Sequence, residues 1–257
     1  MSEQTTLIHG GFYPLFFKQH PEGLSLLDPL QHKGGGKRAE RARRMLRTRH
    51  VEGGTGAFVA LGQEDSTDPK WGDVYEGQEG FAFYGHDPTE GEVRKHPFAA
   101  GLDTGCVFGG RLTAHVWSAA SGGRKIIIGD IHGCVEELDE LLKLLDPGSS
   151  DKYFFLGDVV DKGPDSLGAL DRVYETLYGY PGSVCILGNH EEKALRYHRK
   201  GKVDQFKEAW LQDVKPYMLA MMGVMPYWHQ IPQDLRCGEL VQVQAKEKYC
   251  PAYGEVD

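Results

Sequence analysis

The sequence predicts an α/β fold, and two observations carry that expectation. Short apolar runs alternate with amphipathic helices through the middle of the chain, at the spacing of parallel βαβ units. Three of those runs in succession also end in a glycine followed by polar residues able to ligate metal. In an open α/β sheet the residues beyond the carboxyl ends of parallel strands share one crevice, so this pattern gathers chemistry in one place.

Taken in order, Thr5–Ile8 and Phe81–Tyr84 are short apolar runs that read as strands. The stretch between them is Gly-rich and charged, with a helix expected over Arg38–Arg49 and loops elsewhere. Gly101–Gly110 is a glycine-dense loop, and Leu112–Trp117 reads as another strand. Ala119–Gly123 (AASGG) is small and linker-like. Lys125–Gly129 (KIIIG) has the character of a buried strand. Val135–Leu145 places apolar residues at 135, 138, 141, 142 and 145, which is helical spacing, and Pro147-Gly148 stops the helix. Tyr153–Leu156 is the next strand, Ser166–Leu177 a second amphipathic helix, and Ser183–Leu187 a third strand. A helix opens at Glu191-Glu192, and Glu239–Gln244 is a last strand.

The 257 residues, 40% hydrophobic, suffice for one substantial core. We read residues 1–257 as a single domain, 1–118 and 124–257 meeting at the junction 119–123, because the motifs must converge on one site. A net charge of −8 argues against wholesale coating of nucleic acid. The five cysteines include no CxxC pair, which argues against a disulfide framework or a thiolate zinc knuckle. A reducing, cytoplasmic compartment is the natural expectation. No apolar run approaches the ~20 residues needed to cross a bilayer, so the chain reads as soluble, with no membrane role. The sequence is silent on oligomeric state.

The chemistry sits at strand ends. KIIIG leads into Asp130-Ile131-His132-Gly133, YFFLG into Asp158-Val159-Val160-Asp161-Lys162-Gly163, and SVCILG into Asn189-His190-Glu191. TTLI delivers His9, and FAFYG delivers His86. Aspartates, an asparagine and histidines without cysteine suit manganese, iron or zinc in a working site. Each piece alone has a plain reading. Asp-x-His is a turn, Asn-His-Glu a helix cap, and a single histidine a packed side chain. Their occurrence in series at βα spacing points to a site.

GDIHG, GDVVDKG and GNHE resemble the signature of the calcineurin-like metallophosphoesterases, in their phosphoprotein phosphatase branch. The stretch Gly101–Ala114 (GLDTGCVFGGRLTA) is similar to the diadenosine tetraphosphatase-like (ApaH-like) members. The resemblance covers most of the chain and is weakest over 18–75 and 195–225. It implies a β-sandwich flanked by helices and two divalent metal ions (Mn, Zn, Fe, Co or Mg). Asp130 and His132 would bind the first, Asp158 bridge both, and Asn189, His9 and His86 bind the second. It further implies that His190 is the general acid, oriented by Asp161. Lys162 stands where an arginine is usual, and Arg49, with Arg47 as its rival, matches the second phosphate-binding arginine. The implied reaction is in-line attack by a metal-bridged hydroxide.

The motif order is rotated relative to that family. His9, His86 and GLDTG, which correspond to later motifs, precede Asp130, so permuted connectivity with a preserved site is expected. The rotation is not clean, since GELVQVQAKEKY resembles the strand after GGRLTA but follows Leu235. A basic run (Lys33, Lys37, Arg38, Arg41, Arg43, Arg44, Arg47, Arg49) stands out in an acidic protein. It reads either as a solvated helix face or as a surface for a polyanion: a dinucleoside polyphosphate, polyphosphate or capped RNA. Aromatic residues for base stacking are scarce around it. Three functions follow: a phosphoanhydride hydrolase on such substrates, a Ser/Thr protein phosphatase, and a rearranged scaffold with a dead site.

Overall fold

The computed structural model describes residues 3–11, 37–57, 59–119 and 122–251. Of the sequence features above, Lys33, Ala120 and Ser121 lie outside the described residues. So do the side chains of Lys37, Arg38 and Arg41.

Two five-stranded mixed sheets face each other. In the first sheet, β1 (Thr5–Ile8) is an interior strand. It pairs in parallel with β2 (Phe81–Tyr84) and antiparallel with β9 (Trp228–Ile231). β2 continues in parallel to β4 (Ala99–Gly101), which meets the two-residue β3 (Arg94–Lys95) at the edge. The second sheet runs β10 (Glu239–Gln244), β5 (Arg111–Ser118), β6 (Arg124–Ile128), β7 (Lys152–Phe155), β8 (Val184–Cys185). β6, β7 and β8 are parallel, as the βαβ spacing predicts, whereas β5 is antiparallel to both β6 and β10. Among the described residues the longer helices are α1 (Lys37–Leu46), α2 (Val135–Leu145), α3 (Ser166–Gly179), α4 (Asn189–Arg199) and α5 (Pro216–Val224).

Strand periodicity builds three layers of core. Successive side chains of a strand point to opposite faces. Ile127 and Phe154 therefore meet Leu7, Phe83, Leu102 and Ile231 between the sheets. Their neighbours Ile126, Ile128, Tyr153 and Phe155 face the other way, onto Leu138, Leu141, Leu170, Val173 and Met218 of the helices. On the far side of the first sheet, Ile8, Ala82 and Tyr84 pack on Ala42 and Met45 of α1 and on Trp71. The architecture is an α/β sandwich with helices on both outer faces.

Several sequence expectations need correction. The helix expected over 38–49 ends at Leu46, because Thr48 Oγ1 turns back to Arg44 O and His50 bridges to Lys70. On either side of the expected junction, Ser118 and Arg124 are paired, so β5 and β6 are antiparallel neighbours. Ser183–Leu187 contributes only Val184–Cys185 as strand, although Ile186 N–H still bonds Phe155 O. β3, β4, β9 and α5 were not expected from the sequence.

Candidate metal centre

The carboxyl ends of β1, β2, β6, β7 and β8 deliver His9, His86, Asp130, Asp158 and Asn189 to one end of the sandwich. Asp158 is the hub and only 1% exposed. Its Oδ1 lies 3.2 Å from His9 Nε2, while its Oδ2 lies 3.6 Å from His132 Nε2 and 3.9 Å from His190 Nε2. The carboxylate thus turns one oxygen to each of two groups, His9–His86–Asp158 and His132–Asp158–His190, either compact enough to hold an ion. Asn189 Oδ1 lies 3.0 Å from His9 Nε2. His9 and Asn189, 180 residues apart in sequence, are therefore neighbours in space.

Local backbone demands explain the residue types. His86, His132, Asp158, Asp161 and Lys162 all have positive φ, between 48° and 70°. A non-glycine residue in that region costs of order 1–3 kcal/mol and persists where its surroundings dictate it. Glu191 supplies part of that dictation. Its buried carboxylate accepts the N–H groups of Asp158, Val159, Val160 and Gly188 at 2.8–3.1 Å, clamping the loop that carries Asp158. Gly188 must be glycine here, since a Cβ would lie 2.2 Å from Asp158 N and 2.3 Å from Asp158 Oδ1.

Hydrogen bonds also set the imidazole tautomers. His9 Nδ1 meets Leu156 O at 2.7 Å, and His132 Nδ1 meets Val160 O at 3.0 Å. A carbonyl only accepts, so each Nδ1 donates and each Nε2 is directed at the hub, the arrangement usual in metal-ligating histidines. His190 differs: its Nδ1 faces the Asp161 carboxylate at 2.8 Å, and Trp210 Nε1 donates to the other Asp161 oxygen at 2.6 Å.

The charges are unbalanced in a way that a cation would relieve. Burial pushes Asp130 well above the usual carboxylate range, reinforced by Asp103 and Asp158. Burial would raise Asp158 too, but His9, His190 and His132 hold it well below that range. Burial opposes protonation of His9, yet the Asp158 charge wins and its pKa is pushed up to about 10. Burial drives His86 and His132 well below the ordinary histidine value, helped by Arg49 and Lys162 respectively. Both are then neutral imidazoles with a lone pair to give. Two buried atoms in the centre, His86 Nε2 and Asp130 Oδ1, have no hydrogen-bond partner, and such atoms are costly unless something else ligates them. The residues present therefore fit divalent cations.

The remaining sequence candidates fall as follows. Asp130 Oδ2 accepts His86 N–H at 3.0 Å, but its carboxylate belongs to neither three-residue group. Lys162 Nζ lies 3.5 Å from His132 Nε2. Arg49 Nε donates to His86 O at 3.0 Å and stands 4.0 Å from Asp87, whereas Arg47 lines a neighbouring cleft. Sequence reasoning missed Glu191 as a clamp, Trp210 behind Asp161, and the buried Asp103, whose pKa burial pushes up to about 6. Glu191 was readable only as a helix cap. Trp210 lies in a stretch with no motif.

The α/β sandwich thus gathers oxygen and nitrogen side chains able to ligate metal at one set of strand ends. Residues 123–241 match the family described as calcineurin-like phosphoesterase. Over 86 residues it is 38% identical to the asymmetrical bis(5'-nucleosyl)-tetraphosphatase PrpE of Oceanobacillus iheyensis, covering 30% of this chain and 34% of that one. Over 124 residues it is 33% identical to a symmetrical bis(5'-nucleosyl)-tetraphosphatase of Vibrio cholerae, covering 40% and 45%. A metallophosphoesterase structure from Sphaerobacter thermophilus matches at 25% identity, covering 40% of each chain, with a TM-score of 0.30. The matched stretch spans less than half the length of these relatives.

Proposed function

We propose that this protein is a metal-dependent hydrolase of phosphoanhydride bonds, acting on a polyphosphate-bridged substrate such as a dinucleoside tetraphosphate. The observation that carries the reading is the two-sided presentation of Asp158, one oxygen to His9 and the other to His132 and His190. Asp130, His132 and Asp158 would hold one divalent ion, and Asp158, Asn189, His9 and His86 the other. Such ions, when bound, supply Lewis-acid polarisation of the phosphoryl group and a water of lowered pKa. Similarity to bis(5'-nucleosyl)-tetraphosphatases supports the substrate class.

The chain's own residues do the rest. His190 Nε2 gives a proton to the leaving oxygen, and Asp161 stabilises the imidazolium through Nδ1. Trp210 fixes Asp161, so the pair cannot swing away from the hub. Lys162 and Arg49 offset charge on the transferring phosphoryl oxygens. Lys162 acts as a point charge rather than a bidentate fork. Burial of the centre strengthens each of these interactions.

A substrate panel tests the reading: p-nitrophenyl phosphate, diadenosine tetraphosphate, polyphosphate, capped RNA and a phosphopeptide. The metal-stripped protein is assayed with Mn²⁺, Zn²⁺, Co²⁺ or Mg²⁺ restored. Metal-dependent turnover fastest on a polyphosphate-bridged substrate is expected. Turnover on the phosphopeptide alone would replace the substrate class, and no turnover with any metal would overturn the reading.

A further inference from the structure

We propose that the cleft between α1 and α4 seats the distal phosphates and nucleoside of a polyphosphate-bridged nucleotide whose scissile phosphate lies at the metal centre. The inference rests on the hydrolase reading and extends it to a second subsite. A cavity of about 870 Å³ opens directly from Asn189 and His190. That volume lies within the usual range for ligand pockets and far exceeds what one phosphate fills.

The cleft is charged against the sign of the whole molecule. Arg43 and Arg44 of α1, Arg47 just beyond it, and Lys193 and Arg196 of α4 all line it. Lys193 lies four residues after Asn189 and Arg196 three after Lys193, so one helical face carries cations away from the metal centre. Arg43 and Arg47 have the same spacing on the opposite wall. Two carboxylates share the cleft. Glu40 accepts from Arg44 at 3.1 Å, and Glu192 lies 3.7 Å from Arg43 and 3.4 Å from Arg196. Among the described residues, these two carboxylates face five cationic side chains, so the lining is cation-rich in a chain of net charge −8.

The rest of the lining narrows the ligand. Val59, Ala60 and Leu61 form an apolar flank, against which a nucleoside can pack. No aromatic side chain lines the cleft among the described residues. Single-stranded nucleic acid is held largely by bases stacking on aromatic rings. A short, densely charged phosphate chain with one nucleoside suits this surface better than an RNA strand, and a phosphoserine peptide would leave its cations unused.

The test is the double variant Arg44→Gln/Lys193→Gln, both positions lying outside the metal centre. The full chain is titrated with a dinucleoside tetraphosphate carrying methylene groups in place of bridging oxygens, and separately with inorganic phosphate. Affinity for the dinucleotide should fall about tenfold, while that for inorganic phosphate moves by less than about twofold. Equal weakening of both, or of neither, would overturn the assignment. So would a single-stranded RNA of equal charge that competes as well as the dinucleotide. Titration needs no turnover. Tight, variant-sensitive binding in a protein that hydrolyses nothing would therefore support the cleft and defeat only the catalytic reading.

Discussion

His190 Nε2 and Asp158 Oδ2 lie 3.9 Å apart, and the proposed reaction gives the two residues different work. Asp158 faces three imidazoles and cannot be removed without leaving buried charges unmatched. His190 has its Nδ1 committed to Asp161 and only Nε2 free to act on a substrate. His190→Ala should therefore leave metal content intact while lowering turnover by about 10²–10⁴, the usual worth of a general acid. Metal analysis and steady-state kinetics on the same preparation check this, and unchanged turnover would remove His190 from the reaction. At this scale much of the site was legible. His9, His86, Asp130, Asp158 and Asn189 each follow a glycine or an apolar run, a local signal, and His132 lies two residues after Asp130. What fixes them was not legible, because Trp210 reaches Asp161 from 49 residues away and no spacing announces it.

Among the elements, those that read correctly are the ones whose pattern is self-contained. Thr5–Ile8, Phe81–Tyr84, Val135–Leu145 and Glu239–Gln244 occur as the apolar spacing predicts. Trp228–Ile231 lies between Pro226 and Pro232, which argue against a strand locally, and it forms because β1 offers an open edge. Pro216–Val224 is apolar on nearly every side, so it lacks the amphipathic period that marks a helix. The start of β6 carries a prediction of its own. Arg124 donates side-chain and backbone N–H groups to Asp151, which leads into β7. Burial would raise Asp151, but those bonds and one from Gly148 hold it below its ordinary value. A depressed carboxylate stabilises the fold above its unfolded pKa of about 3.9, and that contribution is lost as pH falls through the folded value. Asp151→Asn should thus cost about 1–3 kcal/mol at pH 7 and progressively less below pH 4. Urea denaturation at both pH values measures it, and an equal loss at both would contradict the ion-pair account.

Across the whole molecule, both sheets are shared between the two halves of the chain. β9 from the second half completes the first sheet, and β5 from the first half sits between β6 and β10 in the second. The layer between the sheets mixes Leu7, Phe83 and Leu102 with Ile127, Phe154 and Leu235. Neither half can bury its apolar faces alone. Residues 1–118 and 124–257 made as separate chains should each lack a cooperative unfolding transition, and should co-purify when expressed together. A cooperative transition in either isolated half would show that the halves are independent units.

Metal content is the most direct test of the central claim that Asp158 joins two ion sites assembled from both halves. The protein is stripped with chelator, dialysed against Mn²⁺ and analysed for bound metal per chain, beside Asp158→Ala and His9→Ala. The account predicts two ions in the wild type, loss of binding in Asp158→Ala, and one ion retained at Asp130 and His132 in His9→Ala. Two ions retained in Asp158→Ala, or none bound by the wild type, would contradict it.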